Sequence, residues 1–299
     1  MYIDLSKLSD GFSSKFRVIS FFLAVIKIKK LRKELYIYEK KTKESPYLFT
    51  DFCLIKNFKI FKLKKKPNNG VVFNPYNYSF ALKKLKNQNL IDYSENKQFN
   101  LVADLSYKNF IPNKEIKKKI NKMKLPNNFI GIHIRSTDRS ISIKNCLKKI
   151  QFREMIFDFQ IEHMIKNLIN FIHSKSKINS VFISSDDGFY KEKILKTFKN
   201  KINIFSNNSK YKTKNFRQTA GKDFLIELFC LSNSKMIIST LGGAVPNAAC
   251  LISKKKIKLY KWTNIFSFYF FFKIMITIIY FLKRSKSLFF NKNITSISL

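Results

Sequence analysis

Acidic residues are scarce in this chain: 19 Asp and Glu stand against 58 Lys and Arg, which leaves a formal net charge of +39 over 299 residues. This imbalance points to anionic partners: nucleic acid, phosphorylated small molecules or an anionic membrane surface. Most of the excess is lysine in a chain also rich in Ile, Asn and Phe, so an AT-rich coding sequence is an alternative explanation. The few arginines carry more information, because a guanidinium holds phosphate through paired donors.

Cysteine and histidine are also scarce. No C-x-x-C pair occurs among the four cysteines, Cys53, Cys146, Cys230 and Cys250. His163 and His173 follow one helical pattern far from any cysteine, which argues against a zinc site. The first residues, MYIDLSKLSDGFSSKF, lack a basic stretch followed by an apolar one, so no secretory signal is expected. We therefore expect reduced core thiols and a cytoplasmic protein.

Several ligand-binding signatures are missing. The chain has no P-loop, no G-x-G-x-x-G, no internal repeat and no Arg/aromatic module typical of nucleic-acid recognition. Hydrophobic residues nevertheless make up 45% of the chain, which is enough for a sizeable core. A folded protein without specific nucleic-acid binding is the expectation.

Beyond Pro126 the sequence alternates between apolar strand-like runs and helical patterns. Strands are predicted around 128–136, 178–187, 201–207, 235–240 and 255–262, with helices between them. Continuous apolar strands separated by helices are typical of a parallel, doubly wound α/β sheet. We predict a domain boundary near 124–128, with a sheet of this kind in the part of the chain that follows it.

The N-terminal part is less regular. A polar loop around Gly11, a helix at 17–34 and a strand at 35–39 are predicted, followed by a turn and strand at 69–77 and a basic helix at 113–124. The remaining segment, 263–299, includes a stretch at 265–283 that is almost wholly apolar, with Lys273 in its middle. A central charge disfavours a transmembrane span, so we expect a helix that packs on the protein or lies in the membrane interface.

Polar side chains gather where the predicted strands end. His133, Arg135, Ser136 and Asp138 follow the strand IGIHI, and further polar groups follow the strands that end near 184, 206 and 239. In doubly wound sheets, ligands bind beyond the carboxyl ends of the strands. Arg135 is the strongest candidate, as a phosphate ligand held by Asp138; a structural Arg–Asp pair is the alternative. His133 shares the side of Arg135 and could instead be a buried structural histidine.

A Gly-Gly turn and a buried acid complete the set of candidates. Gly242 and Gly243, between Ser239-Thr240 and the helix that starts near Ala244, allow close backbone approach to a phosphate, or form an ordinary tight turn. Glu227 lies in an apolar helix, where an acid is either paired or functional. Asp186 and Asp187 are better explained as helix caps than as metal ligands.

Together these elements resemble the GDP-fucose-dependent fucosyltransferases of the H-x-R-x-x-D type, which include the α-1,6, nodulation and α-1,2 enzymes. The resemblance rests on IGIHIRSTDR, VFISSDD and IELFCLSNSKMIISTLGGAV, which lie in this order within 128–253. It implies a GT-B fold of two Rossmann-like domains, an acceptor-side domain at 1–125 and a nucleotide-sugar-binding domain at 126–262, with the nucleotide sugar bound mainly by the second. It further implies that Arg135 contacts the β-phosphate, that Asp138 steadies Arg135, and that His133 and Glu227 lie near the guanine.

This chain also departs from that pattern. It has Glu227 where the family usually has Asp, glycines where the turn carries Ser, and Ser136 where the α-1,6 enzymes often have a second Arg. The acid that the family carries a few residues after the motif is absent from RSISIKN, and Asp10 in the N-terminal loop is the remaining guess for a base.

The resemblance therefore implies a metal-independent, inverting fucosyl transfer from GDP-fucose to a glycan or lipid-linked glycan, with no cofactor. The tail could attach the protein to the inner face of the membrane. Two alternatives stay open: a GT-B enzyme that uses another nucleotide sugar, and a basic nucleic-acid- or membrane-binding protein without catalysis. The expected site residues are His133, Arg135, Ser136, Asp138, Glu227, Ser239, Thr240, Gly242, Gly243 and Ala244.

Overall fold

The computed structural model describes residues 2–6, 12–41, 47–66, 71–72, 96–135, 152–186, 188–207, 221–240 and 244–262. Its strands are β1 (Tyr2–Asp4), β2 (Glu34–Tyr38), β3 (Cys53–Ile55), β4 (Lys59–Lys62), β5 (Val71–Val72), β6 (Phe110–Pro112), β7 (Ile130–Ile134), β8 (Ser180–Ser185), β9 (Asn203–Ser206), β10 (Met236–Ser239) and β11 (Lys258–Lys261). Its helices are α1 (Phe12–Ile28), α2 (Phe49–Phe52), α3 (Asn96–Ser106), α4 (Lys114–Lys122), α5 (Phe152–Lys175), α6 (Gly188–Phe198), α7 (Gly221–Leu231) and α8 (Ala244–Ile252).

Two parallel sheets organise these elements, which confirms the predicted α/β class. The first sheet has the strand order β4-β2-β1-β5, and the second has the order β11-β10-β7-β8-β9. All neighbouring strands within each sheet are parallel. The chain order reverses between β1 and β5 in the first sheet and between β7 and β10 in the second. A doubly wound sheet binds ligands at such a switch point, outside the carboxyl ends of the strands.

Helix α1 corrects the sequence prediction at both ends, because it begins at Phe12 rather than 17 and ends at Ile28 rather than 34. Its end is a Schellman-type turn, in which the Leu31 amide donates to the Ile26 carbonyl at 2.9 Å. Lys30 takes the left-handed conformation that this turn needs, with φ of 50°. Glycine usually fills that position, so its absence hid the helix end from the sequence.

One apolar core extends from the first sheet into the second. The buried side chains of α1, among them Phe16, Phe22 and Leu23, belong to the same cluster as Leu228 of α7 and Ala248 of α8. A second cluster fills the other face of the second sheet, between β7, β8, α5 and α6. The apolar core therefore crosses the boundary predicted at 125/126, and the division into domains at 1–125, 126–262 and 263–299 remains a prediction.

A two-stranded antiparallel ribbon was not predicted. Strand β3 pairs with β6 so that Cys53 lies opposite Pro112. Within the described residues, the cysteines are free thiols: Cys53 and Cys230 are buried and Cys250 is half-buried. The expectation of reduced thiols is confirmed for these three, and Cys146 lies outside the described residues.

The basic helix predicted at 113–124 is confirmed as α4. The Asn113 side chain caps it by accepting from the Ile116 amide at 2.9 Å. Among the helices that the structure describes, none combines the length and apolarity that crossing a bilayer requires. The apolar stretch at 265–283 lies outside the described residues.

Gly131 of β7 lies where α7 approaches the sheet closely. A Cβ atom at this position would lie 2.6 Å from Leu231 Cδ2 and 3.2 Å from Ser234 Oγ. We expect Gly131→Ala to lower the free energy of unfolding by about 1–3 kcal/mol, because buried Leu231 must shift within a packed core. Urea denaturation measures this change. Wild-type stability in the variant would mean that Leu231 can rotate away without cost.

Candidate functional site

The second sheet's switch point brings two predicted segments together. In the pairing of β7 with β10, His133 lies opposite Ser239. The backbone amide of Arg135 donates to Thr240 Oγ1 at 3.0 Å, and the Thr240 amide donates to the His133 carbonyl at 3.1 Å. The two strand ends are thereby locked to each other. Arg135 leaves the sheet from a fixed backbone position, and its side chain is only partly buried.

A buried chain of polar side chains runs from His133 to helix α7. His133 Nδ1 lies 3.2 Å from Ser184 Oγ, and Ser184 Oγ donates to Glu227 Oε2 at 2.8 Å. His133, Ser184 and Glu227 are 4%, 1% and 5% exposed. The structure thus joins His133 and Glu227, the two residues expected near the guanine, in one hydrogen-bonded network. Their bridge, Ser184, lay in a strand end already singled out, but nothing in the sequence gave it this role.

Proton positions in this network follow from its donors and acceptors. Ser184 has a single hydroxyl proton, which it donates to Glu227, so its oxygen must accept from His133 Nδ1. Burial, with a smaller contribution from the positive charge of Arg135, lowers the pKa of His133 to about 3. The ring is therefore neutral, with its proton on Nδ1 and a lone pair on Nε2. That nitrogen is buried and forms no hydrogen bond with any of the described residues. It is a hydrogen-bond acceptor available to a ligand.

Glu227 is compensated by a buried cation that the sequence analysis missed. Lys191 Nζ of α6 lies 3.9 Å from Glu227 Oε1 and donates to the backbone carbonyl of Asn207. Asn207 in turn donates to Asp223 Oδ1 at 2.9 Å. Burial lowers the pKa of Lys191, while Glu227 and Asp223 act in the opposite direction. The sequence predicted that Glu227, as an acid inside an apolar helix, is either paired or functional, and the ion pair with Lys191 confirms that it is paired.

The other predicted site residues are placed as follows. Ser239 and Thr240 are buried at the end of β10, and Ala244 is exposed at the first position of α8. Ser239 Oγ donates to the Thr240 carbonyl at 3.1 Å, so this hydroxyl is already used. Ser136, Asp138, Gly242 and Gly243 lie outside the described residues, as does Asp10. The expected Arg135–Asp138 contact and the phosphate-binding turn therefore stay predictions.

Over the part of the chain that the structure describes, no three His, Cys, Asp or Glu side chains come close enough together to hold an ion. His163, the first of the two helical histidines, accepts a hydrogen bond at Nδ1 from Trp262 Nε1 at 3.1 Å. Trp262 packs in the second core cluster, so this histidine has a structural contact.

No protein-family model matches the chain, and no curated protein matches it in sequence. Solved structures match it in fold. The NodZ α-1,6-fucosyltransferase soaked with GDP-fucose aligns with a TM-score of 0.52 and 12% identity, over 84% of this chain and 92% of that one. The fucosyltransferase NodZ from Bradyrhizobium gives 0.50 and 11% over the same shares, 84% and 92%. At such identities the likeness shows the fold alone, and the predicted GT-B architecture is confirmed.

Proposed function

We propose that this chain is a metal-independent, inverting glycosyltransferase that moves fucose from GDP-fucose to a hydroxyl of a glycan acceptor. Three features support the proposal. The fold matches NodZ structures, one of them soaked with GDP-fucose. The switch point of the second sheet carries a partly exposed arginine. Beside it lies a buried pair of hydrogen-bond acceptors, His133 Nε2 and the Glu227 carboxylate.

The observation that carries the choice of guanine is His133 Nε2, a buried acceptor without a hydrogen bond among the described residues, on a ring that Ser184 joins to Glu227. The Watson–Crick edge of guanine presents two adjacent donors, N1–H and the N2 amino group. Uracil offers one N–H between two carbonyls, which would meet the lone pairs of His133 and Glu227 unfavourably. A site that hydrogen-bonds a specific donor strongly rejects analogues that leave its buried polar groups unpaired. We therefore infer that the pair selects a guanine nucleotide.

Arg135 is proposed to act on the leaving group. As the bond between the sugar carbon and the β-phosphate oxygen breaks, its electron pair remains on the diphosphate, and negative charge grows there. A guanidinium already in place stabilises this charge without moving. The acceptor oxygen forms the new bond from the opposite face of the sugar and loses its proton to a base.

A nucleotide-binding experiment tests this proposal. GDP is expected to raise the melting temperature of the wild-type protein, and UDP and CMP are not, since stabilisation follows from binding to the folded state alone. Glu227→Gln should weaken GDP binding about tenfold or more, because an amide donor replaces a charged acceptor. Glu162→Gln on α5 is the matched control, because it makes the same chemical change at a half-buried residue that pairs with Lys193, and it should bind GDP like the wild type. Stabilisation by UDP or CMP and not by GDP would contradict guanine selection.

We further propose that the acceptor is a glycan on a lipid carrier or a surface-polysaccharide precursor. The excess of positive charge and the apolar and basic segment 263–299 support action in the cytoplasm at the inner face of the membrane, with that segment as the attachment. No specific nucleic-acid partner is included in this proposal.

A further inference from the structure

The first sheet has a switch point of its own, and a buried carboxylate lies there. Asp4 is the last residue of β1 and pairs with Val72, the last residue of β5. The chain order reverses between these two strands. Asp4 thus holds the position in the first sheet that the end of β7 holds in the second. In open α/β sheets, ligands bind beyond such a reversal, so the carboxyl ends of β1 and β5 are a candidate for a second ligand site.

The two oxygens of Asp4 are in different surroundings. Oδ1 accepts from the Ser6 amide at 2.9 Å and from Ser6 Oγ at 2.5 Å, which fixes the orientation of the carboxylate. Oδ2 is buried and accepts no hydrogen bond from the residues that the structure describes. Asp4 Oδ2 forms an ion pair with Lys66 Nζ at 3.6 Å. A buried carboxylate oxygen without hydrogen bonds is costly unless a ligand uses it.

Glu39 provides an internal comparison, because it follows the neighbouring strand β2 and its side chain is also buried. Its Oε1 accepts from Lys15 Nζ at 3.1 Å and from the Phe49 amide at 3.0 Å. Its Oε2 accepts from the Thr50 amide at 3.2 Å and from Thr50 Oγ1 at 3.1 Å. Glu39 is thus engaged at both oxygens as the cap of α2. Of these two carboxylates at the carboxyl edge of the sheet, Asp4 is the one with an oxygen left for a substrate.

We propose that the crevice beyond β1 and β5 binds the hydroxyl-bearing acceptor and that Asp4 Oδ2 removes the proton of the reacting hydroxyl. This inference rests on the proposed transferase function. In the step, the acceptor O–H proton moves to Oδ2 while the acceptor oxygen bonds to the sugar carbon. The bond from that carbon to the β-phosphate oxygen breaks, and its electrons leave with the diphosphate beside Arg135. The sum of charges is unchanged, because the carboxylate gains the proton as the diphosphate gains the electron pair.

Access to Oδ2 depends on Lys66. The Lys66 side chain is 54% exposed, and the Asp4 side chain is 0% exposed. An exposed lysine is held weakly by a single ion pair, so an incoming acceptor can displace it at small cost. Lys66 then occupies Oδ2 only until the acceptor arrives, and Ser6 holds the carboxylate in place through Oδ1.

The test compares Asp4→Asn with Ser6→Ala. Asparagine preserves the shape and the oxygen that accepts from Ser6 but removes the proton acceptor. We expect kcat to fall about 10²- to 10⁴-fold, the contribution of a positioned base, with GDP binding and melting temperature close to wild type. In Asp4→Ala, added formate should restore part of the rate, which a merely structural residue would not allow. Ser6→Ala keeps the carboxylate and should retain kcat within about tenfold, since only its alignment loosens.

A wild-type kcat in Asp4→Asn overturns the inference. If the melting temperature also falls while kcat stays intact, Asp4 has only a structural role in the turn after β1. Should Asp4→Asn not fold, Lys66→Met decides. Unchanged or faster turnover of Lys66→Met supports entry of the acceptor at Oδ2. Lost turnover in a folded Lys66→Met protein would mean that activity requires the ion pair itself, and it overturns the proposal. Failure of the proposed function looks different, because the wild-type protein itself would then neither bind GDP nor transfer fucose.

Discussion

Replacing Arg135 with alanine is expected to lower kcat for sugar transfer by several hundredfold or more, while GDP binding falls much less. The reason is that charge on the β-phosphate grows only as the glycosidic bond breaks, so its partner acts mainly in the transition state. Removing one well-aimed donor of this kind typically costs ~3–4 kcal/mol of transition-state stabilisation. The backbone of residue 135 should keep its position in Arg135→Ala, because its contact with Thr240 Oγ1 is made by the backbone amide.

Two further variants sharpen this result. Arg135→Lys should recover part of the lost rate and no more, since an ammonium is a point charge without the paired donors of a guanidinium. Arg17→Ala is the matched control, because Arg17 Nη1 of α1 pairs with Asp104 Oδ1 of α3 at 2.7 Å and does not stand at the end of a sheet strand. Steady-state kinetics with GDP-fucose, together with calorimetric GDP binding, separate kcat from affinity. Near wild-type transfer by Arg135→Ala would remove the proposed leaving-group role.

Replacing Lys15 with methionine is expected to lower the free energy of unfolding by about 3–5 kcal/mol, the usual cost of breaking a buried ion pair. Lys15 and Glu39 are 1% and 3% exposed, and their charged atoms lie 3.1 Å apart. Lys15 also donates to the Tyr47 carbonyl at 3.2 Å. Without the ammonium, the buried Glu39 carboxylate keeps only the hydrogen bonds from α2.

Chemical denaturation, followed by fluorescence and circular dichroism, measures this loss. Lys62→Met is the control within the same sheet, because Lys62 and Asp51 form an ion pair whose side chains are 54% and 34% exposed. Exposed pairs contribute about 0–1 kcal/mol, so this variant should unfold almost like the wild type. Equal effects of the two substitutions would mean that burial of the Lys15 pair adds nothing to stability.

Sequence patterns predicted the second sheet better than the first. Strands β7 and β10 are buried throughout and β8 is buried at every residue after Ser180, so their continuous apolar runs report their environment directly. The ribbon of β3 and β6 joins residues that are far apart in the chain, and no local pattern encodes such a pairing. The end of α1 was predicted too late because Lys30, rather than glycine, adopts the left-handed turn.

The candidate site was predicted in the same uneven way. His133, Arg135 and Glu227 stand out in the sequence because polar groups at strand ends and acids in apolar helices are costly unless they are used. Ser184 and Lys191 carry no comparable signal, since one ends a strand and the other lies in a lysine-rich helix. Their importance comes from contacts with Glu227, 43 positions away from Ser184.

The amino-acid sequence alone therefore determines the alternation of elements, the parallel sheet of the second half and the polar residues at its carboxyl edge, because burial and backbone preference are local properties. The tertiary structure decides which polar groups meet. It joins His133, Ser184 and Glu227 in one buried chain, leaves His133 Nε2 without a hydrogen bond among the described residues, and puts Asp4 beside the reversal of the first sheet. Those outcomes depend on the order in which strands assemble, and strand order is set by packing between segments distant in the chain.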